Sequence, residues 1–199
     1  MRLDAGRSKA AAEACLALAQ EHGLAVWLLI APVVHSWSIA ALNRTQSAWD
    51  ELRRKLSACR AQGQRAVASW VYSTLAYGEA EVGDFDAALR SIETAIIEQD
   101  GQHFWDSEAH RIRANITLKR DPADSATAEA SLQTAISTAR RQHARSFELR
   151  AALDLSKMFH AVGRNADAHA VLAPALEGFA PTPEMPEIAE ALALMQRLG

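Results

Sequence analysis

The stretch GDFDAALRSIETAI, residues 83–96, contains the pattern that decides the fold of this chain. After a Gly-Asp turn, its apolar residues recur at intervals of three and four, which places them on one face of an α-helix. They are Phe85, Ala88, Leu89, Ile92, Ala95 and Ile96. The stretch therefore predicts an amphipathic helix that begins at the turn and packs this face against a neighbouring helix.

The same pattern returns about every forty residues along the chain. A forty-residue step aligns three apolar columns, which are Ala48, Ala88, Ala128 and Ala168; Leu52, Ile92, Leu132 and Leu172; and Leu56, Ile96, Ile136 and Leu176. Each unit is long enough for two helices, and each hairpin exposes an apolar flank that only the next hairpin can cover. The repeat therefore predicts an all-α, right-handed α-solenoid.

Four helical hairpins are predicted, over residues 24–62, 69–99, 103–143 and 146–176. Their first helices cover residues 24–42, 69–82, 103–118 and 146–162, and their second helices cover residues 45–62, 85–99, 125–143 and 165–176. An orphan helix over residues 8–22 precedes them, and a capping helix over residues 186–198 follows the breaker-rich APTPEMP. The whole chain, residues 1–199, is thus predicted to form one domain.

Composition and charge favour a soluble helical protein without a nucleic-acid partner. Apolar residues make up 49% of the chain and charged residues 23%, with a net charge of -3. A phosphate-binding domain normally carries a basic excess, which is missing here. The N-terminus has no signal-peptide pattern. Cys15 and Cys59 lie far apart without a CxxC spacing, which indicates free thiols in a reducing compartment. We expect a cytoplasmic protein.

One segment supports an alternative in which a helix anchors the chain in a membrane. Residues 24–42 run for 19 residues without an Asp, Glu, Lys or Arg, which is just long enough to span a bilayer. Pro32, His35, Ser36 and Ser38 interrupt the apolar run, and no second segment of this kind follows. A helix buried in a helical stack is therefore the preferred interpretation, and no membrane contact is expected.

The motifs that carry chemistry are missing from the sequence. It has no HExxH, no GxSxG, no phosphate-binding GxxxxGK[ST] and no pair of histidines at metal-ligand spacing with a third ligand. Asp84 and Asp86 form a DxD without the glycine and glutamate of a calcium loop, so helix capping explains them better. We therefore expect no catalytic residue, no metal site and no cofactor.

The stretch from residue 83 to residue 100 resembles a tetratricopeptide repeat. It has a turn glycine, an aromatic residue two positions later, and small residues at the packing positions Ala88 and Ala95. The tetratricopeptide unit has 34 residues rather than forty. The first-helix position where a small residue is expected holds Ser36, Ala76, Ile116 and Ser156 in the four repeats, and Ile116 is not small. A variant with longer helices accounts for both departures.

A more specific resemblance covers residues 12–195. AEACLALAQEHGLAVWLL, SACRAQGQ, HFWDSEAHRIRANITL, ARRQHARSFELRAALDLS and GRNADAHAVLAPALEGF follow one another as in the helical tail of a large bacterial family. In that family a class III adenylate or guanylate cyclase domain precedes an AAA-type predicted ATPase with a tetratricopeptide-like tail, and relatives carry a transcriptional-activator N-terminus instead. The cyclase aspartates and the phosphate-binding loop have no counterpart in these residues.

The resemblance therefore implies a role and no catalysis. We expect a non-enzymatic protein-interaction or regulatory scaffold, the tail of a cyclase and ATPase signalling protein or a piece severed from one. The exposed face of the orphan helix shows no capping design, which leaves self-association through this helix open. A helical nucleic-acid- or phosphate-binding module of a transcriptional regulator remains an alternative function.

In tetratricopeptide arrays the first helices line a concave groove, and three columns would face it here. They are Trp37, Tyr77, Thr117 and Lys157; Ile30, Trp70, His110 and Arg150; and Val33, Ser73, Arg113 and Leu153. The groove would be aromatic in its N-terminal half and cationic in its C-terminal half, suited to a peptide with an apolar anchor and an acidic end. The predicted contact residues are Trp37, Trp70, Tyr77, His110, Arg113, Arg150 and Lys157.

Simpler explanations of these residues stay open. Tryptophans at helical positions are more often packing residues than ligand platforms. Arg150 has Asp154 one turn further on and can form an ordinary i,i+4 ion pair with it. In the stretch ARRQHARSFELRAALDLS, residues 139–156, Arg140 and Arg141 would only offset a helix dipole at the end of a helix.

Overall fold

The computed structural model describes residues 4–63, 68–97, 104–182 and 185–199. Within these ranges the chain forms ten α-helices and no β-strand, so the predicted all-α class is confirmed. The helices are α1 (Ala5–His22), α2 (Ala25–Asn43), α3 (Gln46–Ala61), α4 (Ala68–Glu81), α5 (Phe85–Ile97), α6 (Asp106–Arg120), α7 (Ser125–Arg141), α8 (Arg145–Ala161), α9 (Asn165–Leu176) and α10 (Pro186–Leu198).

The observed helices follow the predicted ones closely. α3, α5, α7 and α9 begin at Gln46, Phe85, Ser125 and Asn165, each within one residue of the predicted start. The orphan helix is longer than predicted, because Asp4 caps it and its Oδ1 accepts a hydrogen bond from the Arg7 backbone N–H. The predicted end of one helix at Gln99 and the predicted start of the next at His103 lie outside the described residues.

The forty-residue columns form the buried faces of the second helices. Leu52, Ile92, Leu132 and Leu172 are all fully buried, at 0% exposure. The alanine column is also buried from the second repeat onward, whereas Ala48 is only half-buried. These side chains are inside because a helix that packs on one face covers the positions spaced three and four apart.

Left-handed backbone closes several of the turns between helices. Gly83 and Gly163 follow α4 and α8 with φ of 85° and 78°, a conformation in which a Cβ is disfavoured. The turn after α7 has no glycine, as the sequence indicates, and His143 adopts φ of 55° there. The repeat thus tolerates a side chain at a left-handed position.

Contacts divide the chain into two compact units, residues 1–103 and residues 104–199. In the first unit, α2 packs against α1, α3 and α4, and α4 packs against α5. Its core contains Trp37, Trp49, Leu52, Leu56 and Leu75. The prediction of one domain over residues 1–199 stays a prediction.

In the second unit, α8 packs against α6, α7, α9 and α10. Ser156 Oγ donates a hydrogen bond of 3.0 Å to the Ala168 carbonyl, which draws α8 and α9 together at a position of small residues. The capping helix α10 contributes Ile188 and Leu194, each 1% exposed, to the core. α10 is therefore an integral part of this unit.

α2 is long and apolar enough to cross a membrane by length and composition, with a mean hydropathy of 1.8 over the best window. One third of that window is buried inside the first unit. A core helix of a soluble protein meets the same criterion, and Trp37 and Ala40 of α2 belong to the core. Exposed apolar side chains cluster at its start, where Leu24, Val26 and Trp27 are 44–50% exposed.

Candidate functional site

Two of the seven predicted contact residues, Trp37 and Tyr77, line one cavity in the first unit. Its volume is about 490 Å³. Trp37 of α2 is 5% exposed and belongs to the core, whereas Tyr77 of α4 is 41% exposed. We call this cavity the aromatic pocket, because Trp49 of α3 completes a wall with three aromatic side chains.

The aromatic pocket depends on a glycine in the middle of α4. A Cβ at Gly78 would lie 2.0 Å from Cη2 of Trp49, so only glycine lets the indole ring pack against this helix. Trp49 is 3% exposed, and among the described residues its Nε1 has no hydrogen-bond partner. The sequence did not lead us to predict Trp49 as a residue of the site. Gly78 was the signal that could have indicated it, since a glycine inside a helical pattern often marks close packing.

Charged groups complete the wall of the aromatic pocket. Asp4, just before α1, and Glu81, at the end of α4, contribute two exposed carboxylates. Arg44, which ends α2 with φ of 52°, contributes one guanidinium. The pocket is therefore apolar and aromatic with charged groups at its wall, and it brings together four elements of the first unit.

Trp70 is placed apart from the aromatic pocket. Its side chain is half-buried and packs against the core of the first unit. Val33, Ser73 and Leu153, from the third of the expected groove columns, are buried at 2% exposure or less. The expectation of an exposed column is wrong for these three, because first helices are covered by neighbours on more than one side.

His110 and Arg113 line a different cavity, between α6 and α7 of the second unit. It has a volume of about 410 Å³, and small residues of α7 such as Ala130 and Thr134 form its other wall. Both predicted side chains are half-buried. The two residues, predicted in different columns of one groove, thus line one cavity of the second unit.

Arg150 and Lys157 are both ion-paired with α10. Arg150 Nε lies 3.2 Å from Glu187 Oε1, and Lys157 Nζ lies 2.8 Å from Glu190 Oε1. The i,i+4 ion pair between Arg150 and Asp154, which the sequence left open, is not the one formed. The cationic end of the predicted groove thus faces carboxylates of the chain itself.

Asp154 instead belongs to a buried ionic cluster that the sequence did not reveal. Arg111, 7% exposed, donates two hydrogen bonds to Glu108, at 3.1 and 2.7 Å, and a third of 2.7 Å to Asp154 Oδ2. Asn115 Nδ2 donates to the same Asp154 oxygen at 3.0 Å. Burial by itself lowers the pKa of Arg111, but the charges of Glu108 and Asp154 outweigh it and raise the pKa. This cluster ties α6 to α8.

Two arginines of residues 139–156, Arg140 and Arg145, bind groups on neighbouring elements of the second unit. Arg140 Nε donates a hydrogen bond of 2.7 Å to Oε1 of Glu148, a carboxylate that is 4% exposed. Arg145 donates a hydrogen bond of 2.5 Å to the Glu177 carbonyl. Arg140 therefore does more than offset a helix dipole, because it neutralises a buried carboxylate.

The described residues contain no group of three or more His, Cys, Asp or Glu side chains that could hold a metal ion. Cys59 is buried, and burial raises the pKa of its thiol, which disfavours the reactive thiolate. The arrangement of the aromatic pocket is suited to binding a side chain or a small ligand.

No family model, no curated protein and no solved structure shows a significant match to this chain. The class of the protein is therefore defined by its fold alone, as an all-α protein of ten helices over the described residues.

Proposed function

We propose that this chain is a non-enzymatic scaffold that binds another protein through the aromatic pocket. The observation that carries the proposal is the cavity of about 490 Å³ walled by Trp37, Trp49 and Tyr77. Concave, largely apolar cavities with a few polar groups are the usual binding sites of proteins, and aromatic residues dominate the energetics of interfaces. Tyr77 is the most accessible of the three rings and would make the first contact.

The architecture we propose is a right-handed α-solenoid of about four tetratricopeptide-like hairpins with an extra helix at each end. It is supported by the regular starts of α3, α5, α7 and α9, which are 39 or 40 residues apart, and by the full burial of Ala88, Ala128 and Ala168. Small residues at such positions let paired helices approach closely. Arrays of this kind bind peptides along their inner helices.

In the cell, the scaffold would serve as the regulatory tail of a cyclase and ATPase signalling protein, or as a piece severed from one, as the resemblance of residues 12–195 implies. A cytoplasmic location goes with this role. The acidic end expected for the partner has less support, because Arg150 and Lys157 already pair with Glu187 and Glu190. The same ion pairs weaken the nucleic-acid alternative, which needs unpaired cations.

A peptide selection tests the proposal without knowledge of the natural partner. A random peptide library displayed on phage is panned against the wild-type chain, and selected peptides are titrated against Tyr77→Ala. We expect a common apolar or aromatic position in the selected peptides and at least a tenfold loss of affinity in Tyr77→Ala, about 1.4 kcal/mol.

The control is Phe104→Ala, which removes an aromatic side chain of similar exposure, 52% against 41%, outside the pocket. It should bind the selected peptides as tightly as the wild type. Peptides that bind all three proteins equally, or a selection that enriches nothing, would contradict the proposed function.

A further inference from the structure

The outer surface of α1 is apolar where a terminal helix is normally polar. Among the described helices only α2 packs against α1, and Ala12 and Ala19, on the side toward α2, are 4% and 0% exposed. The opposite side, which we call the α1 face, consists of the exposed residues Arg7, Ala10, Ala14, Ala17, Leu18 and Glu21. Terminal helices of repeat arrays need a polar outer surface for solubility, and four of these six side chains are apolar.

The polar side chains in the middle of α1 lie to one side of the α1 face. Glu13 pairs with Lys9 at 2.5 Å, and its Oε1 lies 3.3 Å from Nε2 of His35 in α2. These groups therefore lie at the boundary with α2. The centre of the α1 face is left to three alanines and to Leu18, which is 54% exposed.

The two charges of the α1 face lie at the wrong ends of the helix for a chain on its own. Arg7 is in the first turn of α1 and Glu21 is in its last turn, whereas the helix dipole favours an acidic residue in the first turn and a basic one in the last. Both side chains are exposed, and neither has an ion-pair partner within the part of the chain that the structure describes. A second helix in the opposite orientation would supply what each charge lacks.

We propose that the α1 face binds the α1 face of a second copy of this chain, with the two helices antiparallel and related by a twofold axis at Ala14. Arg7 and Glu21 are each seven positions from Ala14, so Arg7 of each copy meets Glu21 of the other and both ion pairs form together. Each charge also lies beside the favourable end of the other helix. A parallel pair would instead place like charges together.

The sizes of the apolar side chains fit the same arrangement. Leu18 and Ala10 are each four positions from Ala14, so the leucine of one copy lies opposite the alanine of the other. A large side chain against a small one lets two helices interlock closely. One pair of helices is smaller than a standard interface of about 800 Å² per partner, so the dimer is weak and forms as the protein concentration rises.

This inference goes beyond the proposed function, because it concerns another surface. None of the six residues of the α1 face lines the aromatic pocket. A dimer carries two aromatic pockets, and a partner with two binding segments would bind it more tightly than it binds one chain. The α1 face thus gives a specific form to the self-association that the sequence left open.

Charge reversal tests the proposal on the intact chain. Sedimentation equilibrium up to about 1 mM protein should show the mass rising from one chain toward two. Arg7→Glu and Glu21→Arg should each weaken dimerisation at least about tenfold, since each replaces two attractive pairs by two repulsive ones. An equimolar mixture of the two variants should associate about as tightly as the wild type, because their heterodimer again contains two pairs of opposite charge.

A substitution at the twofold axis tests the apolar centre. Ala14→Glu places two like charges against each other and should abolish the dimer. The matched control is Gln20→Glu, which introduces the same charge at an exposed position about 100° around the helix from Glu21, and it should dimerise as the wild type does. Circular dichroism verifies that each variant is folded.

A chain that stays monomeric over the whole concentration range overturns the inference. So does a dimer that tolerates Ala14→Glu, or one that is not restored by mixing the two charge variants. These results leave the proposed function standing, because a monomeric chain can still select peptides that need Tyr77. Failure of the peptide selection, in turn, leaves the dimer standing, so the two proposals fail separately.

Discussion

The indole ring of Trp49 occupies the space that a side chain at Gly78 would fill. A Cβ at Gly78 would lie 2.0 Å from Cη2 of the ring and 2.3 Å from Cζ2. Trp49 lies on α3 and Gly78 on α4, so this contact sets how closely the two helices approach. It also positions one aromatic wall of the pocket, which connects the packing of the first unit to its binding surface.

Replacing Gly78 with alanine should therefore disturb both stability and the pocket. We expect Gly78→Ala to lower the free energy of unfolding by about 1–3 kcal/mol, the usual range for overpacking a core. Urea denaturation measures the change. Gly6→Ala in α1 is the matched control, because its new Cβ would meet Asp4 Oδ1 at 3.4 Å and alanine favours a helix by up to about 1 kcal/mol. Equal effects of the two substitutions would contradict the packing argument.

Removing the buried guanidinium of Arg111 should be strongly destabilising. Arg111→Met leaves Glu108 with only Arg150, whose Nη1 lies 3.9 Å from Oε1, and it removes the guanidinium that pairs with Asp154. Breaking a buried ion pair in this way costs about 3–5 kcal/mol. Adding Glu108→Gln should recover part of the loss, since one of the uncompensated charges is then gone. Chemical denaturation of the single and double variants measures both effects.

Arg164→Met is the control for that experiment. Arg164 also has two carboxylate partners, Asp167 at 2.7 Å and Glu129 at 3.0 Å, but its side chain is 45% exposed. We expect a loss below about 1 kcal/mol, as for exposed ion pairs. A loss as large as that of Arg111→Met would mean that burial does not explain the ionic cluster.

The capping helix α10 should contribute to stability through one face only. Ile188 is 1% exposed and Leu192 is 37% exposed. We expect Ile188→Ala to cost about 2–5 kcal/mol, as deletions of buried side chains do, and Leu192→Ala to stay within about 0.5 kcal/mol of the wild type. Thermal unfolding monitored by circular dichroism compares them, and similar melting temperatures would show that α10 is not packed as described.

The two cysteines should differ in reactivity toward N-ethylmaleimide. Cys59 is 2% exposed, and burial raises the pKa of its thiol, so less thiolate is present at neutral pH. Cys15 is half-buried and should be alkylated first. Mass spectrometry of the native chain over time measures the two rates. Cys59 should react only after denaturant is added, and equal rates in the native state would contradict its burial.

Much of the fold was predictable because helix formation is governed by near neighbours. Leu52, Ile92, Leu132 and Leu172 were identified as one buried column, and all four are fully buried. The prediction succeeded because positions three and four residues apart share a helix face whatever the helix packs against. Helical periodicity does not show which face of a first helix is covered by neighbouring helices on more than one side. Val33, Ser73 and Leu153 were therefore expected at a surface.

The candidate site was predictable only in part. Trp37 and Tyr77 were expected together and line one cavity, and His110 and Arg113 line another. An i,i+4 ion pair between Arg150 and Asp154 was left open beside a contact with a partner, but Arg150 Nε lies 3.2 Å from Glu187 of α10. Local spacing overestimates such pairs, because a carboxylate on a packed neighbouring helix competes with one on the same helix.

The amino-acid sequence by itself determined which residues form helices, where the second helices begin and which of their faces is buried, since these properties follow from helical periodicity and turn residues. The tertiary structure alone decided that Asp4, Trp49 and Glu81 share one pocket and that Arg111 meets Asp154 across 43 positions. The physical reason is that such encounters depend on how closely neighbouring helices approach. That approach is set by the volume of single side chains, as the missing Cβ of Gly78 demonstrates.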